Sequence, residues 1–150
     1  MRTTTRSPVP VAERRRPVRR RPTGVLDTCV YIDLALLDPA ELPAVPELTA
    51  ITFAELQQGV AMARDPLSRA ARLEMLGAAT AEFDPLPFDG AAAARYGTLV
   101  ALTIAAGRQP RPRRIDLMIA AVASAHGLPL YTRNIADFRG LGAAVEVIAV

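Results

Sequence analysis

The sequence contains no lysine, no tryptophan, one histidine and one cysteine. Without lysine, neither a phosphate-binding P-loop nor a Schiff-base mechanism is available. His126 cannot build a multi-histidine metal site by itself, and Cys29 can form neither an intrachain disulfide nor a cysteine-based zinc site. No apolar run reaches the roughly 18 residues of a membrane-spanning helix, so no membrane contact is expected. The chemistry that remains belongs to carboxylates, hydroxyls and arginine.

The length of 150 residues corresponds to one ordinary domain. Hydrophobic residues make up 51% of the chain and aromatic residues only 5%. A core of closely packed small aliphatic side chains, with much helix, is therefore expected. A chain of this size buries enough surface to fold without a disulfide or a structural metal.

Charge is unevenly distributed along the chain. All 18 basic residues are arginine, and eight of them lie in residues 1–23 beside a single acid, Glu13. Residues 24–150 are net negative, since ten arginines there face fourteen acids. The first 23 residues also carry four prolines and lack apolar periodicity, so they are predicted to form a disordered tail. Such a tail fits nucleic-acid binding, a solvated arm, or a start codon assigned too far upstream.

Short apolar strands alternate with helices from Gly24 onward. Asp89 is a suitable N-cap for one helix, and Gly127 is a suitable residue to end another. The predicted strands are 24–26, 47–51, 82–86, 128–132 and 145–150, and the predicted helices are 28–37, 52–63, 66–79, 89–106 and 115–125. This alternation indicates an α/β domain with a parallel sheet.

Four acidic residues occupy positions where such a sheet forms its sites. Asp27, Glu55 and Asp137 lie at or just beyond predicted strand ends, and Asp116 opens a helix that is apolar on nearly every face. Sites in open parallel sheets form at the carboxyl ends of the strands. Clustered carboxylates repel one another unless a divalent cation neutralises them, and Mg²⁺ and Mn²⁺ favour such oxygen ligands. The set therefore predicts a divalent-metal site.

Each acid also has a purely structural interpretation. Thr52 and Glu55 have the spacing of a capping box, in which Glu55 would bond the N-cap amide. Asp116 could simply favour the first turn of its helix through the helix dipole. Asp27 could be a turn residue and Asp137 a loop charge. Taken singly, each acid leaves both interpretations open, and the case for a site depends on the set.

Four segments resemble, in order, the motifs of PIN-domain ribonucleases of the VapC toxin type. They are residues 24–33 (GVLDTCVYID), 51–59 (ITFAELQQG), 114–121 (RIDLMIAA) and 130–138 (LYTRNIADF). The resemblance covers residues 24–150 and implies a three-layer α/β/α fold with a short, mostly parallel central sheet. It also implies a metal-dependent endoribonuclease that hydrolyses RNA, forms a homodimer and is neutralised by a small DNA-binding antitoxin of the VapB type.

The resemblance gives the four acids the role of metal ligands. Asp27 and Asp116 would be the main ligands of Mg²⁺, with Mn²⁺ as a possible substitute, and Glu55 and Asp137 would be outer or second-metal ligands. The sequence departs from the family pattern next to two of these residues. Cys29 stands where a serine is usual. The fourth aspartate of many PIN domains is replaced by an asparagine, three residues before Asp137.

Further polar residues beside the motifs are candidates for supporting roles. Thr28, Thr132 and Asn134 would orient ligands or water, although turn and cap chemistry explains them equally well. Three arginines would hold the RNA backbone, unless they form only a solvated face; they are Arg113, Arg114 and Arg133.

We therefore interpret the chain as a metal-dependent ribonuclease toxin with RNA and an antitoxin as partners. The alternative is a non-catalytic module that binds nucleic acid through its arginine-rich tail. A phosphatase of the Asp-x-Asp type is disfavoured because the segment from Asp27 to Cys29 lacks the second aspartate. No long apolar stretch follows the N-terminal arginines, so no secretory signal is predicted and a cytoplasmic location is expected.

Overall fold

The computed structural model describes residues 22–150. Its strands are β1 (Thr23–Leu26), β2 (Val45–Glu47), β3 (Leu130–Thr132) and β4 (Val147–Ala149). Its helices are α1 (Thr28–Ile32), α2 (Ala50–Ala61), α3 (Pro66–Glu82), α4 (Gly90–Ala105) and α5 (Arg114–Ala125). Short 3₁₀ turns cover Leu34–Leu36, Pro39–Glu41, Arg111–Arg113 and Ile135–Phe138. Within this part of the chain, no helix is long and apolar enough to cross a membrane.

The strands form one parallel sheet in the order β2-β1-β3-β4. The register pairs Val25 of β1 with Glu47 of β2, and Leu26 of β1 with Tyr131 of β3. Because every strand runs in the same direction, all their carboxyl ends lie at one edge of the sheet. The predicted α/β class with a short parallel sheet is confirmed.

Two hydrophobic clusters cover the two faces of the sheet. Val25 and Leu130 belong to a cluster with residues of α4 and α5, including Leu99 and Leu117. The next residue along each strand, Leu26 and Tyr131, belongs to the other cluster, which includes residues of α1, α2 and α3. Successive side chains of a strand point to opposite faces, so each strand contributes to both clusters. The result is the expected α/β/α layering.

Gly24 and Gly127 are two positions where a side chain would not fit the backbone or its neighbours. At Gly24 in β1, a Cβ atom would overlap the ring of Tyr131 on the neighbouring strand, so only glycine lets the two strands pair with this ring between them. Gly127 follows α5 with φ of 63°, a left-handed conformation that favours glycine. The predicted end of the buried helix at Gly127 is confirmed, as is the Asp89 cap, whose side chain accepts from the Ala92 amide.

The predicted strand over 82–86 is wrong. Helix α3 continues to Glu82, and Leu86 forms only an isolated bridge to Thr49. The second strand ends at Glu47 rather than spanning 47–51, because Thr49 already caps α2. Both errors have the same cause, since apolar residues at a helix end and in a short strand are indistinguishable without the pairing partner.

The predicted helix over 28–37 is two elements. Helix α1 ends at Ile32, and a 3₁₀ turn over Leu34–Leu36 follows it. Strand β1 begins at Thr23, which pairs with Val45 of β2. The Val45 amide donates to the Pro22 carbonyl at 2.6 Å. Thr23 therefore belongs to the sheet rather than to the predicted tail. Residues 1–21 of that tail lie outside the described residues.

Candidate active site

Asp27 and Thr132 lie side by side at the carboxyl edge of the sheet. Asp27 directly follows β1 and Thr132 ends β3, and the Asp27 amide donates to the Tyr131 carbonyl at 2.9 Å. The Thr132 hydroxyl donates to Oδ2 of Asp27 at 2.8 Å, and both side chains are buried. Thr132, predicted as a supporting residue, thus contacts the first predicted ligand directly.

Two further donors fix the Asp27 carboxylate. The Thr28 amide donates to Oδ1 at 2.8 Å, because Asp27 is the N-cap of α1, and the Cys29 thiol donates to Oδ2 at 3.3 Å. Burial raises the pKa of the Cys29 thiol, and the negative charge of Asp27 adds to the rise. The thiol is therefore protonated at neutral pH and acts as a donor, so the cysteine at this departure from the family pattern still supports Asp27.

Glu55 reaches the same edge from α2. The Thr28 hydroxyl donates a hydrogen bond to its Oε2. The N-cap of α2 is Thr49, whose side chain accepts from the Thr52 amide at 3.1 Å, so the capping-box interpretation with Thr52 as N-cap is wrong. Burial raises the pKa of Glu55, the Thr28 hydrogen bond opposes the rise, and the charge of Asp27 adds to it. Glu55 therefore interacts with the Asp27 site instead of closing its own helix.

Asp116 lies in the first turn of α5, half-buried among the other acids. Burial, followed by the negative charges of Asp27, Asp137 and Glu55, raises the pKa of Asp116 to about 6. The positive charge of Arg113 opposes this rise. Within residues 22–150, no group donates a hydrogen bond to the Asp116 side chain. The structure thus brings together the four predicted acids, hereafter the acidic cluster: Asp27, Glu55, Asp116 and Asp137.

Asp137 joins the acidic cluster from the 3₁₀ turn after β3. Its Oδ1 lies 3.5 Å from Nε of Arg113, and its backbone carbonyl accepts from Nη1 of Arg108 at 3.0 Å. Asn134 is exposed, and its backbone amide donates to the Thr132 hydroxyl at 3.0 Å. Of these two candidates for the fourth position, Asp137 is the one whose charge acts on Asp116. Asn134 instead tethers the loop to Thr132.

The three predicted RNA-binding arginines lie in different surroundings. Arg113 is mostly buried against Asp137, whereas Arg114 is exposed. Arg133 is exposed and forms an ion pair with Asp33, the residue that ends α1. Neither this pair nor the Arg108 contact has a recognisable signal in the sequence, because 100 and 29 residues separate the partners along the chain.

The chemistry of the acidic cluster fits a hard divalent cation. Its side-chain donors are carboxylate oxygens, the ligands that Mg²⁺ and Mn²⁺ prefer, and their mutual repulsion is what a cation would relieve. Within residues 22–150, no three acidic, thiol or imidazole side chains are positioned closely enough to share one metal ion. Two members are engaged elsewhere, since Glu55 is bonded to Thr28 and Asp137 is paired with Arg113. Reorientation of these two side chains is therefore part of any metal binding here.

Comparison with known proteins identifies the family. No model of a known protein family matches the sequence. The chain is 40% identical over 132 residues to Ribonuclease VapC5 of Mycobacterium tuberculosis, an alignment that covers 85% of this chain and 95% of that protein. The chain belongs to the VapC family. The expected relationship to PIN-domain ribonucleases of the VapC type is therefore confirmed.

Solved structures of other proteins share the fold. The crystal structure of VapBC-5 from Mycobacterium tuberculosis, described as a member of the VapBC family of toxin–antitoxin systems, contains a chain that matches with a TM-score of 0.73 and 37% identity, over 86% of this chain and 99% of that one. FitAcB from Neisseria gonorrhoeae matches with a TM-score of 0.64 and 28% identity, over 83% and 95%. VapBC2 from Rickettsia felis, at 22% identity over 85% and 98% with a TM-score of 0.69, supports the fold alone.

Proposed function

We propose that this VapC-family protein is a toxin that hydrolyses RNA phosphodiester bonds with a divalent cation, Mg²⁺ or Mn²⁺, held by the acidic cluster. One observation carries the proposal. Asp116 is half-buried among three other carboxylates, and burial, together with the negative charges of these carboxylates, raises its pKa to about 6. Such an arrangement destabilises the folded chain, so a purely structural role does not account for it. A nuclease site does account for it, because cation binding turns the repulsion into affinity.

The chain's own residues prepare the acidic cluster for this role. Asp27 is fixed by the Thr132 hydroxyl and the Thr28 amide, so one carboxylate keeps its orientation in the absence of a cation. The Thr28 hydroxyl holds Glu55 at the same edge of the sheet. Asp27 and Asp116 would be the main ligands, with Glu55 and Asp137 further out. When bound, a divalent cation lowers the pKa of water and offsets charge on the phosphate.

The substrate is RNA in this proposal, by analogy with the ribonuclease that the chain resembles at 40% identity. Arg114 and Arg133 lie on the surface and supply positive charge near a site that is itself acidic. Arginine binds phosphate oxygens through a planar fork of donors, so these two residues suit contacts to the RNA backbone. The proposal therefore concerns contacts of these two arginines with the RNA backbone and not recognition of the RNA sequence.

The partner is a VapB-type antitoxin, as the VapBC complexes of the relatives suggest. An open groove of about 490 Å³ lies between the end of α1 and helix α3, and most of its lining is apolar. Ala71, Met75 and Ala78 form the α3 side, and Glu74 and Glu82 place negative charge at the groove. An amphipathic antitoxin segment with basic residues beside its apolar ones would complement it. A basic residue of that segment would also neutralise Asp27 and Asp116.

A homodimer is the further assembly that the family resemblance implies, and it stays a prediction. Ile104 on α4 and Ile115 on α5 are large apolar side chains at the surface, exposed by 59% and 41%. These two helices pack against each other on one side of the sheet. Sedimentation of the purified chain, with and without an antitoxin, measures the oligomeric state directly.

The proposed function is tested by RNA cleavage with metal-free protein to which Mg²⁺ or Mn²⁺ is returned. Cleavage should require the cation and should fall by at least about a hundredfold in D27N and D116N. The matched control is D84N, because Asp84 is an exposed aspartate in the loop between α3 and α4 and its charge is not among those that act on Asp116. Metal-independent cleavage, or full activity in D116N, contradicts the proposal. Cation-independent RNA binding without cleavage would instead support the non-catalytic module.

A further inference from the structure

In the part of the chain that the structure describes, Arg113 places a buried guanidinium nitrogen without a hydrogen bond beside the acidic cluster. Its Nε lies 3.5 Å from Oδ1 of Asp137. The same Nε is buried and forms no hydrogen bond within residues 22–150, although Nη1 donates to the Gln109 carbonyl at 3.0 Å. A buried N–H group that loses water without gaining a hydrogen bond is uncommon. Attraction to negative charge, rather than hydrogen bonding, therefore explains why this nitrogen is buried here.

The backbone position of Arg113 supports the same conclusion. Arg113 is the N-cap residue of α5 and forms no side-chain capping bond. Positive charge at the N-terminus of a helix is unfavourable, because the helix dipole is positive there. Asp116, one turn further along, and Asp137 supply the negative charge that makes a cation acceptable at this position.

Arg113 also interacts with two members of the acidic cluster and not only with one. It forms the ion pair with Asp137, and its positive charge also acts on Asp116, which lies in the first turn of the helix that Arg113 precedes. A divalent cation at the proposed site would act on the same two carboxylates with the same sign of charge. The arginine and the cation repel each other and compete for the same two carboxylates, so binding of one weakens the attraction of the other.

We propose that Arg113 is a built-in counter-ion of the acidic cluster, which holds Asp137 and faces Asp116 in the metal-free protein and competes there with the divalent cation. The inference rests on the proposed function and assigns Arg113 a role in the metal-free protein in addition to the predicted contact with RNA. Competition of this kind weakens cation binding and stabilises the metal-free chain. Once displaced from Asp137, the guanidinium is available to a phosphate at the same place.

The test is Mn²⁺ binding to the purified full-length chain by calorimetry, together with thermal melting after metal removal. R113Q removes the charge and should bind Mn²⁺ about tenfold more tightly than wild type, while its metal-free form melts at a lower temperature. R113K keeps the charge and should bind Mn²⁺ within about threefold of wild type. R113M, which retains an aliphatic stem, replaces R113Q if that variant does not fold.

The matched control is R111Q. Arg111 is an exposed residue of the same 3₁₀ turn and undergoes the same change of net charge. Its Mn²⁺ affinity should stay within about twofold of wild type. Equal or weaker Mn²⁺ binding by R113Q, beside clear binding by wild type, overturns the counter-ion role alone. Absence of Mn²⁺ binding by both wild type and R113Q overturns the counter-ion role and the metal site of the proposed function together.

Discussion

The Thr132 hydroxyl donates a 2.8 Å hydrogen bond to Oδ2 of Asp27 across the carboxyl ends of two adjacent strands. Both side chains are buried, and the Thr132 oxygen in turn accepts from the Asn134 amide at 3.0 Å. One hydroxyl therefore links the strand end that carries Asp27 to the loop that carries Asp137. The geometry makes Thr132 a positioning residue for the proposed site.

The first prediction is that T132V lowers RNA cleavage by about 10- to 100-fold, the usual cost of removing a group that orients a metal ligand. The substitution keeps the shape of the side chain but removes a donor from a buried carboxylate, so stability should also fall by about 1–3 kcal/mol. The matched control is T103V, because Thr103 is also buried and its hydroxyl donates to the Leu99 carbonyl within α4 rather than to a member of the acidic cluster. T103V should lose stability without losing cleavage per folded molecule. Equal cleavage by T132V and T103V would contradict the positioning role.

The sequence predicts the composition of the candidate site better than its internal pairing. Asp27 and Thr132 follow from strand ends, and Asp116 follows from the start of an apolar helix, because parallel strands bring such positions to one edge. The Arg113–Asp137 and Arg133–Asp33 pairs do not follow, since neither has a periodic signal along the chain. Likewise, the cap of α2 at Thr49 rather than Thr52 depends on the bridge between Thr49 and Leu86, a contact that only the folded chain provides.

The second prediction concerns the pH dependence of metal-free stability. The pKa of Asp116 is raised from 3.8 to about 6, so the folded chain binds its proton more tightly than the unfolded chain does. Stability from this group is present at low pH and is lost as pH rises from about 4 through about 6. Because Asp116 is only half-buried, the loss is on the order of 1 kcal/mol. The charged groups that determine it are Asp27, Asp137, Glu55 and Arg113.

The measurement is urea unfolding between pH 4 and pH 8 after metal removal, for wild type and D116N. The difference between the two unfolding free energies should change across this window in favour of D116N as pH rises. Acids that do not interact with Asp116 cancel in that difference, including Asp65, whose pKa is lowered by its hydrogen bonds with Ser68 and which has the opposite pH dependence. A difference that is flat from pH 4 to pH 8 would show that Asp116 does not titrate abnormally.

The third prediction concerns the antitoxin groove. A78E replaces a small apolar side chain of the α3 wall by a carboxylate that the apolar face of the antitoxin segment would desolvate, and should weaken antitoxin binding by at least about tenfold. The control is A70E, since Ala70 is an exposed residue of the same helix that does not line the groove. Binding of a co-expressed antitoxin and inhibition of RNA cleavage are measured, each relative to the cleavage rate of the free variant. Equal neutralisation of A78E and A70E would place the antitoxin elsewhere on the surface.

The last prediction distinguishes the roles of the two main candidate ligands. Asp116 accepts no hydrogen bond within residues 22–150, and three carboxylates act on it against one arginine, so D116N removes more repulsion than attraction from the metal-free chain. Its melting temperature without metal should therefore rise, by about 2–4 °C for each kcal/mol relieved in a chain of this size. Asp27, in contrast, accepts bonds from the Thr28 amide and the Thr132 hydroxyl. An asparagine there turns one of its acceptor oxygens into a donor, so D27N should melt below D116N.

With Mn²⁺ added, wild type should melt at a higher temperature than D116N. Wild type gains stability in proportion to the logarithm of cation concentration over Kd, whereas D27N and D116N should lose most of that gain. RNA cleavage should fall in both variants, while D84N should resemble wild type in all three measurements. If D27N melts as high as D116N without metal, the hydrogen bonds to Asp27 do not stabilise the folded chain. The proposed difference between Asp27, held by hydrogen bonds, and Asp116, which accepts none within residues 22–150, would then be wrong. If both variants keep the full Mn²⁺ stabilisation, the cation binds outside the acidic cluster.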